Sequence, residues 1–239
     1  MDKIRGVIFD KDGTLLNFQK TWTYWIEDFL SKIRDIHPSI DQDLSEQVAE
    51  LLGYNPKSQR FYPDSVVIAD TPEAGIQKIM PILPMCKFSN LLALSEEASL
   101  KSIPIEIVPL KGPLLKLASM KIILGVATND SEASANTHLE TIGVSGFFKY
   151  IIGYDSGFGS KPDPDQCLAF CSKAGIQPDE CVMVGDSLHD MQAGKLAGMK
   201  TVGVLSGLAD KTSLEPAADV ILPDVSYLPE LITLIQPPL

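Results

Sequence analysis

Four apolar runs in this 239-residue chain end in polar turns and give way to helical patterns, and that repetition leaves few folds open. Ile4 to Phe9 runs into Asp10-Lys11-Asp12-Gly13-Thr14. Ile122 to Ala127 runs into Thr128-Asn129-Asp130-Ser131, with helical spacing on to Ile142. Tyr150 to Gly153 precedes a glycine-rich loop closing on Ser160-Lys161-Pro162-Asp163-Pro164, where Asp163 is expected to cap a helix that Pro164 starts. Val182 to Val184 ends in Gly185-Asp186, Thr201 to Leu205 and Val220 to Leu222 read as further strands, and a last helix is predicted near Tyr227 to Ile235. Repeated strand, turn and helix units imply right-handed crossovers, which lay strands parallel and cover both sheet faces. The expected class is α/β.

The first strand is separated from the others by a different texture. Trp22, Trp25, Ile26, Phe29, Leu30 and Ile33 form one apolar stripe at helix period, which marks the tryptophans as packing residues. Asp43 to Leu52 repeats the pattern and stops at Gly53; a third helix opens at Asp70-Thr71-Pro72-Glu73, and a fourth lies around Ser95 to Leu100. The expected organisation is a discontinuous core of residues 1–15 and 110–239 with a helical insert at 16–109.

Charge and composition narrow the function. With 20 Lys+Arg against 31 Asp+Glu the net charge is −11, which argues against gripping nucleic acid or an anionic membrane by bulk charge. No apolar stretch is long enough to span a bilayer, and the first run meets a carboxylate too soon for a secretory core. Cys86, Cys167, Cys171 and Cys181 include no CxxC pair, and His37, His138 and His189 are scattered, so a zinc site is not expected. The chain reads as a soluble cytoplasmic protein, and its oligomeric state is not encoded in any pattern recognised here.

In an open parallel sheet, ligands bind beyond the carboxyl ends of the strands. Asp10 and Asp12, Thr128 and Asn129, Lys161, and Asp186 with Asp190 all fall there. Several carboxylates at one edge repel each other unless a cation sits among them, and all-oxygen ligands point to Mg²⁺. A hydroxyl, an amide and a lysine beside that cation make a receptacle for a phosphoryl group. Asp10, at the strand end, is placed to attack phosphorus; Asp12, on the turn opened by Gly13, is placed to protonate the leaving oxygen and later to deprotonate water. Asp186 completes the metal shell and Asp190 supports it.

Asp10-Lys11-Asp12-Gly13-Thr14, Thr128-Asn129, Lys161-Pro162 and Gly185-Asp186-Ser187-Leu188-His189-Asp190 resemble, in order and spacing, the four motifs of the haloacid dehalogenase superfamily. The insert resembles the α-helical cap of its phosphoglycolate phosphatase-like branch. The resemblance implies a Rossmann-like core, Mg²⁺ held by Asp10, Asp186 and the backbone carbonyl of Asp12, and a phosphoryl group held by Thr128 and Lys161. Gly13, Thr14, Ser187 and Asp190 stand as supporting residues. Dehalogenating and phosphonate-cleaving members lack the second aspartate of the first motif, so Asp12 favours phosphate esters.

The leading expectation is a phosphatase for a small phosphorylated metabolite, phosphoglycolate first, working through an aspartyl-phosphate. The alternatives are a phosphomutase of the same fold and a non-catalytic phosphometabolite-binding protein. Lys20 and Arg60 are candidate substrate contacts in the insert.

Overall fold

The computed structural model describes residues 3–37 and 39–236. After β1 (Gly6–Phe9) come α1 (Phe18–Ile36), α2 (Gln42–Leu51), the two-residue strands β2 (Tyr54–Asn55) and β3 (Arg60–Phe61), α3 (Val66–Ala69), α4 (Pro72–Ile79) and α5 (Phe88–Lys101). The chain continues through α6 (Lys111–Ser119), β4 (Ile123–Ala127), α7 (Glu132–Thr141), β5 (Tyr150–Ile152), α8 (Asp165–Ala174), β6 (Cys181–Gly185) and α9 (Leu188–Ala197). It ends with β7 (Lys200–Val204), α10 (Lys211–Leu214), β8 (Val220–Leu222) and α11 (Leu228–Ile235). Two compact units result, one ending at Asn17 and resuming at Ile105, the other spanning Phe18–Pro104.

The first unit is built on a parallel six-stranded sheet in the order β5-β4-β1-β6-β7-β8. Counted by first appearance in this sheet, that is the doubly wound Rossmann order, with its switch point between β1 and β6. Strand alternation sorts the buried side chains onto two faces. Val7, Phe9, Val182 and Val184 pack with Leu114 and Leu117 of α6, Leu139 of α7 and Ile232 of α11. Ile8, Cys181 and Met183 pack on the other face with Cys167 and Phe170 of α8 and Ala193 and Ala197 of α9. Gly125 lets α8 approach, since a Cβ there would stand 2.6 Å from the Phe170 ring. Cys171 and Cys181 are free thiols in this layer.

Leu15 and Leu16 stay with this unit, buried in its core. Ile107 donates to the Leu15 carbonyl (3.0 Å) and Asn17 to that of Ile105 (2.7 Å), so the division falls inside the expected 16–109. The second unit packs around α1. Phe18 and Trp22 stack at 6.0 Å, Trp25 and Phe29 at 5.4 Å, and Phe61 meets Phe18 edge-on at 5.2 Å. Trp25 also donates its indole N–H to the Ser95 carbonyl (3.0 Å).

Three local details differ from the sequence expectation. Helix α8 begins at Asp165 with Pro164 as its cap residue, because the Asp163 N–H closes a turn onto the Ser160 carbonyl (3.1 Å). Helix α5 is twice the expected length; its buried Leu91, Ser95, Ala98 and Ser99 are too mixed to show a clean apolar stripe. The β2–β3 hairpin was not anticipated, as two-residue strands carry no periodicity; Asn55 Oδ1 accepts from the N–H groups of Lys57 and Ser58 (both 3.0 Å) to shape its turn. Among the described residues no helix is long and apolar enough to cross a membrane.

Candidate active site

Register brings the motif residues together. Phe9 pairs with Val126 on one side and Val184 on the other, so the next residues, Asp10, Ala127-Thr128 and Gly185-Asp186, leave the sheet side by side at the switch point. The Asp10 N–H still donates to the Val184 carbonyl (2.8 Å), which fixes the nucleophile candidate to the rigid strand end.

Asp10, Asp186 and Asp190 are buried, with one carboxylate oxygen of each lying within 4.8 Å of the others. Lys161 Nζ donates to Asp10 Oδ1 (2.5 Å) and Asp190 Oδ1 (2.6 Å). Asp190 is doubly engaged: its Oδ2 accepts from the Ser187 N–H (3.0 Å) and hydroxyl (2.6 Å), closing a capping box on α9. A Cβ on Gly185 would fall 2.2 Å from the Asp190 carboxyl carbon, so only glycine lets this carboxylate lie against the strand end. Thr14 donates its hydroxyl to Asp186 Oδ1 (3.2 Å). Asp186 is further confined by two glycines: a Cβ at Gly13 (φ +89°) would stand 2.3 Å from Oδ2, and one at Gly207 only 1.7 Å away. Ser206, beside Gly207, donates its hydroxyl to the Gly13 carbonyl (2.8 Å).

The charges do not balance. Burial, helped by the charges of Asp190 and Asp12 and opposed by Lys161, pushes the Asp10 carboxyl up to about 7. Burial and then the charges of Asp10 and Asp190 drive Asp186 well above the carboxylate range. Three buried acids against one ammonium are an arrangement that a divalent cation with oxygen ligands relieves, so the donor set fits a hard metal ion.

The carboxylate of Asp12, expected to meet a metal ion through its backbone carbonyl, lies outside this cluster, whereas the carboxylate of Asp190, expected as support, is part of it. Asp12 Oδ2 is instead 2.8 Å from Lys11 Nζ, while its buried Oδ1 has no hydrogen-bond partner among the described residues. The reason is local: Lys11, between the two aspartates, turns inward and is 0% exposed. Asn129, expected on the phosphoryl group, commits both ends of its amide to the main chain of Lys161, donating to its carbonyl and accepting from its N–H (2.8 Å each). Its visible task is to hold the lysine loop. Thr128 is buried, and its Oγ1 accepts from the Asp130 N–H (3.1 Å). Lys20 and Arg60 are exposed residues of the second unit.

Sequence reasoning missed Lys11, Asp130 and His138, which form a buried cluster beside Asp12. The available signal was a lysine lodged between two strand-end acids, which reads equally well as a solvated turn residue. Gly207 gave no signal, because its partner Asp186 lies 21 positions earlier in sequence.

Comparison with known proteins agrees with this geometry. The family model described as haloacid dehalogenase-like hydrolase matches residues 7–204. A phosphoglycolate phosphatase of Neisseria meningitidis is 38% identical over 126 residues, 52% of this chain and 53% of that protein. The pyrophosphatase PpaX of Bacillus velezensis is 36% identical over 108 residues, 44% of this chain and 49% of that one. The chain thus spans about half the length of these curated relatives. The crystal structure of a predicted phosphoglycolate phosphatase from Haemophilus somnus superposes with a TM-score of 0.74 at 21% identity, over 97% of this chain and 99% of that one, which shows the shared fold. With the family model covering all four motif positions, the chain belongs to the haloacid dehalogenase-like hydrolases.

Proposed function

We propose that this chain is a Mg²⁺-dependent phosphatase that hydrolyses a small phosphorylated metabolite through an aspartyl-phosphate on Asp10. The observation that carries the reading is the group of three buried carboxylates at the switch point, with one oxygen of each within 4.8 Å of the others and two of them, Asp10 and Asp190, bridged by Lys161. Mg²⁺, held by Asp10, Asp186 and the Asp12 carbonyl with Asp190 in support, would cancel the repulsion between these acids and a phosphate dianion.

The chain's own residues then divide the work. Asp10 is fixed by its main-chain bond to β6, so its free carboxylate oxygen attacks phosphorus from a rigid base. Lys161 Nζ neutralises charge on Asp10 and on the incoming phosphoryl oxygens, and Thr128 offers its hydroxyl to them. As the P–O bond to the leaving group breaks, Asp12 donates a proton through Oδ1, the oxygen that has no partner among the described residues. The alcohol departs. Asp12, now ionised, takes a proton from water; the water oxygen attacks phosphorus, inorganic phosphate leaves and the Asp10 carboxylate is restored. The helical unit serves as a cap that selects the substrate.

Phosphoglycolate is the first substrate to test, since a relative of that name shares 38% identity over its matched half. The net charge of −11 fits a small metabolite rather than nucleic acid as substrate, and four free cysteines fit a cytoplasmic setting. The test is a screen of phosphorylated metabolites with Mg²⁺ and with EDTA. Mg²⁺-dependent release of phosphate that Asp10→Asn abolishes supports the reading; full turnover by Asp10→Asn overturns it.

A further inference from the structure

Lys11 is an ammonium without solvent contact in the turn between Asp10 and Asp12. Its three N–H donors meet three acceptors: Asp12 Oδ2 (2.8 Å), Asp130 Oδ2 (2.8 Å) and His138 Nδ1 (3.1 Å). An ammonium has no lone pair, so the ring nitrogen facing it accepts. This makes a tripod whose orientation is set at all three feet. The far feet are themselves anchored. Asp130 Oδ2 also accepts from the Ser134 hydroxyl (2.6 Å), its Oδ1 accepts from the Ser131 N–H (2.8 Å), and Ser131 caps α7, the helix that carries both Ser134 and His138.

The charge state follows from the packing. Burial would strip the Lys11 proton, but the charges of Asp12 and Asp130 outweigh it and raise its pKa above the usual lysine range. Burial would also raise Asp130; the charge and hydrogen bond of Lys11, with the Ser134 hydroxyl, pull it below the usual carboxylate range instead. The cluster is thus a fixed cation and anion, resting on α7 and gripping one oxygen of Asp12.

We propose that Lys11, seated on Asp130 and His138, is the positioning residue that fixes the Asp12 carboxylate by Oδ2 and leaves Oδ1 as the only oxygen presented to the leaving group. The inference rests on the assignment of Asp12 as acid and base, and goes beyond it by naming what sets that group's orientation. The contrast within the carboxylate is the basis: Oδ2 is held at 2.8 Å while Oδ1 is buried without a partner among the described residues. A carboxyl freed from Lys11 would rotate between its two oxygens and meet the departing oxygen in fewer encounters. The loss then scales with how much the leaving group needs a proton.

That scaling is the test. Rates for p-nitrophenyl phosphate, whose phenolate departs unaided, are compared with those for an alkyl phosphate such as glycerol phosphate, in wild type, Lys11→Met and Asp12→Asn. Expected for Lys11→Met is a loss of kcat at least tenfold larger on the alkyl ester than on the aryl ester, with KM changed less than threefold. An equal loss on both esters, the signature of a structural role alone, overturns the proposal, provided Asp12→Asn separates them. If Asp12→Asn fails to separate them, the acid/base assignment itself is wrong and the proposal goes with it. Should Lys11→Met not fold, Lys11→Met/Asp130→Asn, which removes both charges of the buried pair, carries the same comparison and the same outcomes.

Discussion

Gly207 sits on no motif, yet the geometry makes Gly207→Ala a sharp perturbation of the proposed metal site. The new Cβ would lie 1.7 Å from Asp186 Oδ2, 2.3 Å from its carboxyl carbon and 2.5 Å from its Cβ. Ordinary contact begins at 3.4 Å, so the carboxylate or the loop must move by about 1.7 Å. Gly207 has no positive φ, hence alanine brings no backbone strain and the effect is steric alone. The loop is tied by the Ser206 hydroxyl to the Gly13 carbonyl (2.8 Å), which leaves the carboxylate as the part that yields. Metal–oxygen distances tolerate shifts of only about 0.2 Å. Displacing even an outer partner of a ligand typically costs about 10- to 100-fold in affinity, so moving the ligand itself should weaken Mg²⁺ binding by about 100-fold or more. Isothermal titration with Mg²⁺ reads this directly. Urea unfolding in EDTA gives the accompanying overpacking cost, expected within about 1–3 kcal/mol. A folded Gly207→Ala that binds Mg²⁺ within threefold of wild type would refute the claim that this glycine exists to make room for Asp186.

Asn129→Ala strands the Lys161 main-chain N–H and carbonyl; each lost partner should cost about 1–3 kcal/mol in urea unfolding, with kcat falling and Mg²⁺ affinity nearly kept. Gly125→Ala drives a Cβ to 2.6 Å from the buried Phe170 ring, so a loss of about 1–3 kcal/mol is expected with kcat/KM unchanged; a neutral result would contradict the tight packing of α8 on β4. The Asp10 carboxyl, raised from 3.8 to about 7, binds its proton in the fold where the unfolded chain has released it. In EDTA its contribution therefore falls as pH rises from about 4 to about 7, and the melting temperature of wild type should drop relative to Asp10→Asn across that window. Saturating Mg²⁺ should abolish the difference in slope; parallel profiles in EDTA would rule the coupling out.

The sheet and the order of the site were legible because both are written locally. β1, β4 and β8 end where their apolar runs end and the other three strands within one residue of it, so Asp10, Thr128 and Asp186 need no tertiary knowledge to be placed at the carboxyl edge. The contents of the site were less so. Which carboxylates converge depends on how turns direct side chains: Lys11 turns inward and takes Asp12 with it, while Gly185 lets Asp190 in from α9. The Asp130 and His138 partners of Lys11 lie more than a hundred positions away, and a histidine at helical spacing shows nothing of its neighbour. Asn129 lies at the edge as expected, and its amide binds the Lys161 main chain, a bond between loops that no local pattern carries.

The account turns on covalent transfer to Asp10, and the most direct measurement is mass spectrometry of enzyme acid-quenched during turnover of a good substrate with Mg²⁺. A phosphoryl group on the peptide that contains Asp10 and Asp12, assigned to position 10 by fragmentation and missing in Asp10→Asn, is the predicted result. An unmodified peptide in quenched samples that have demonstrably turned over, with solvent ¹⁸O entering phosphate at full rate in Asp10→Asn, would contradict it.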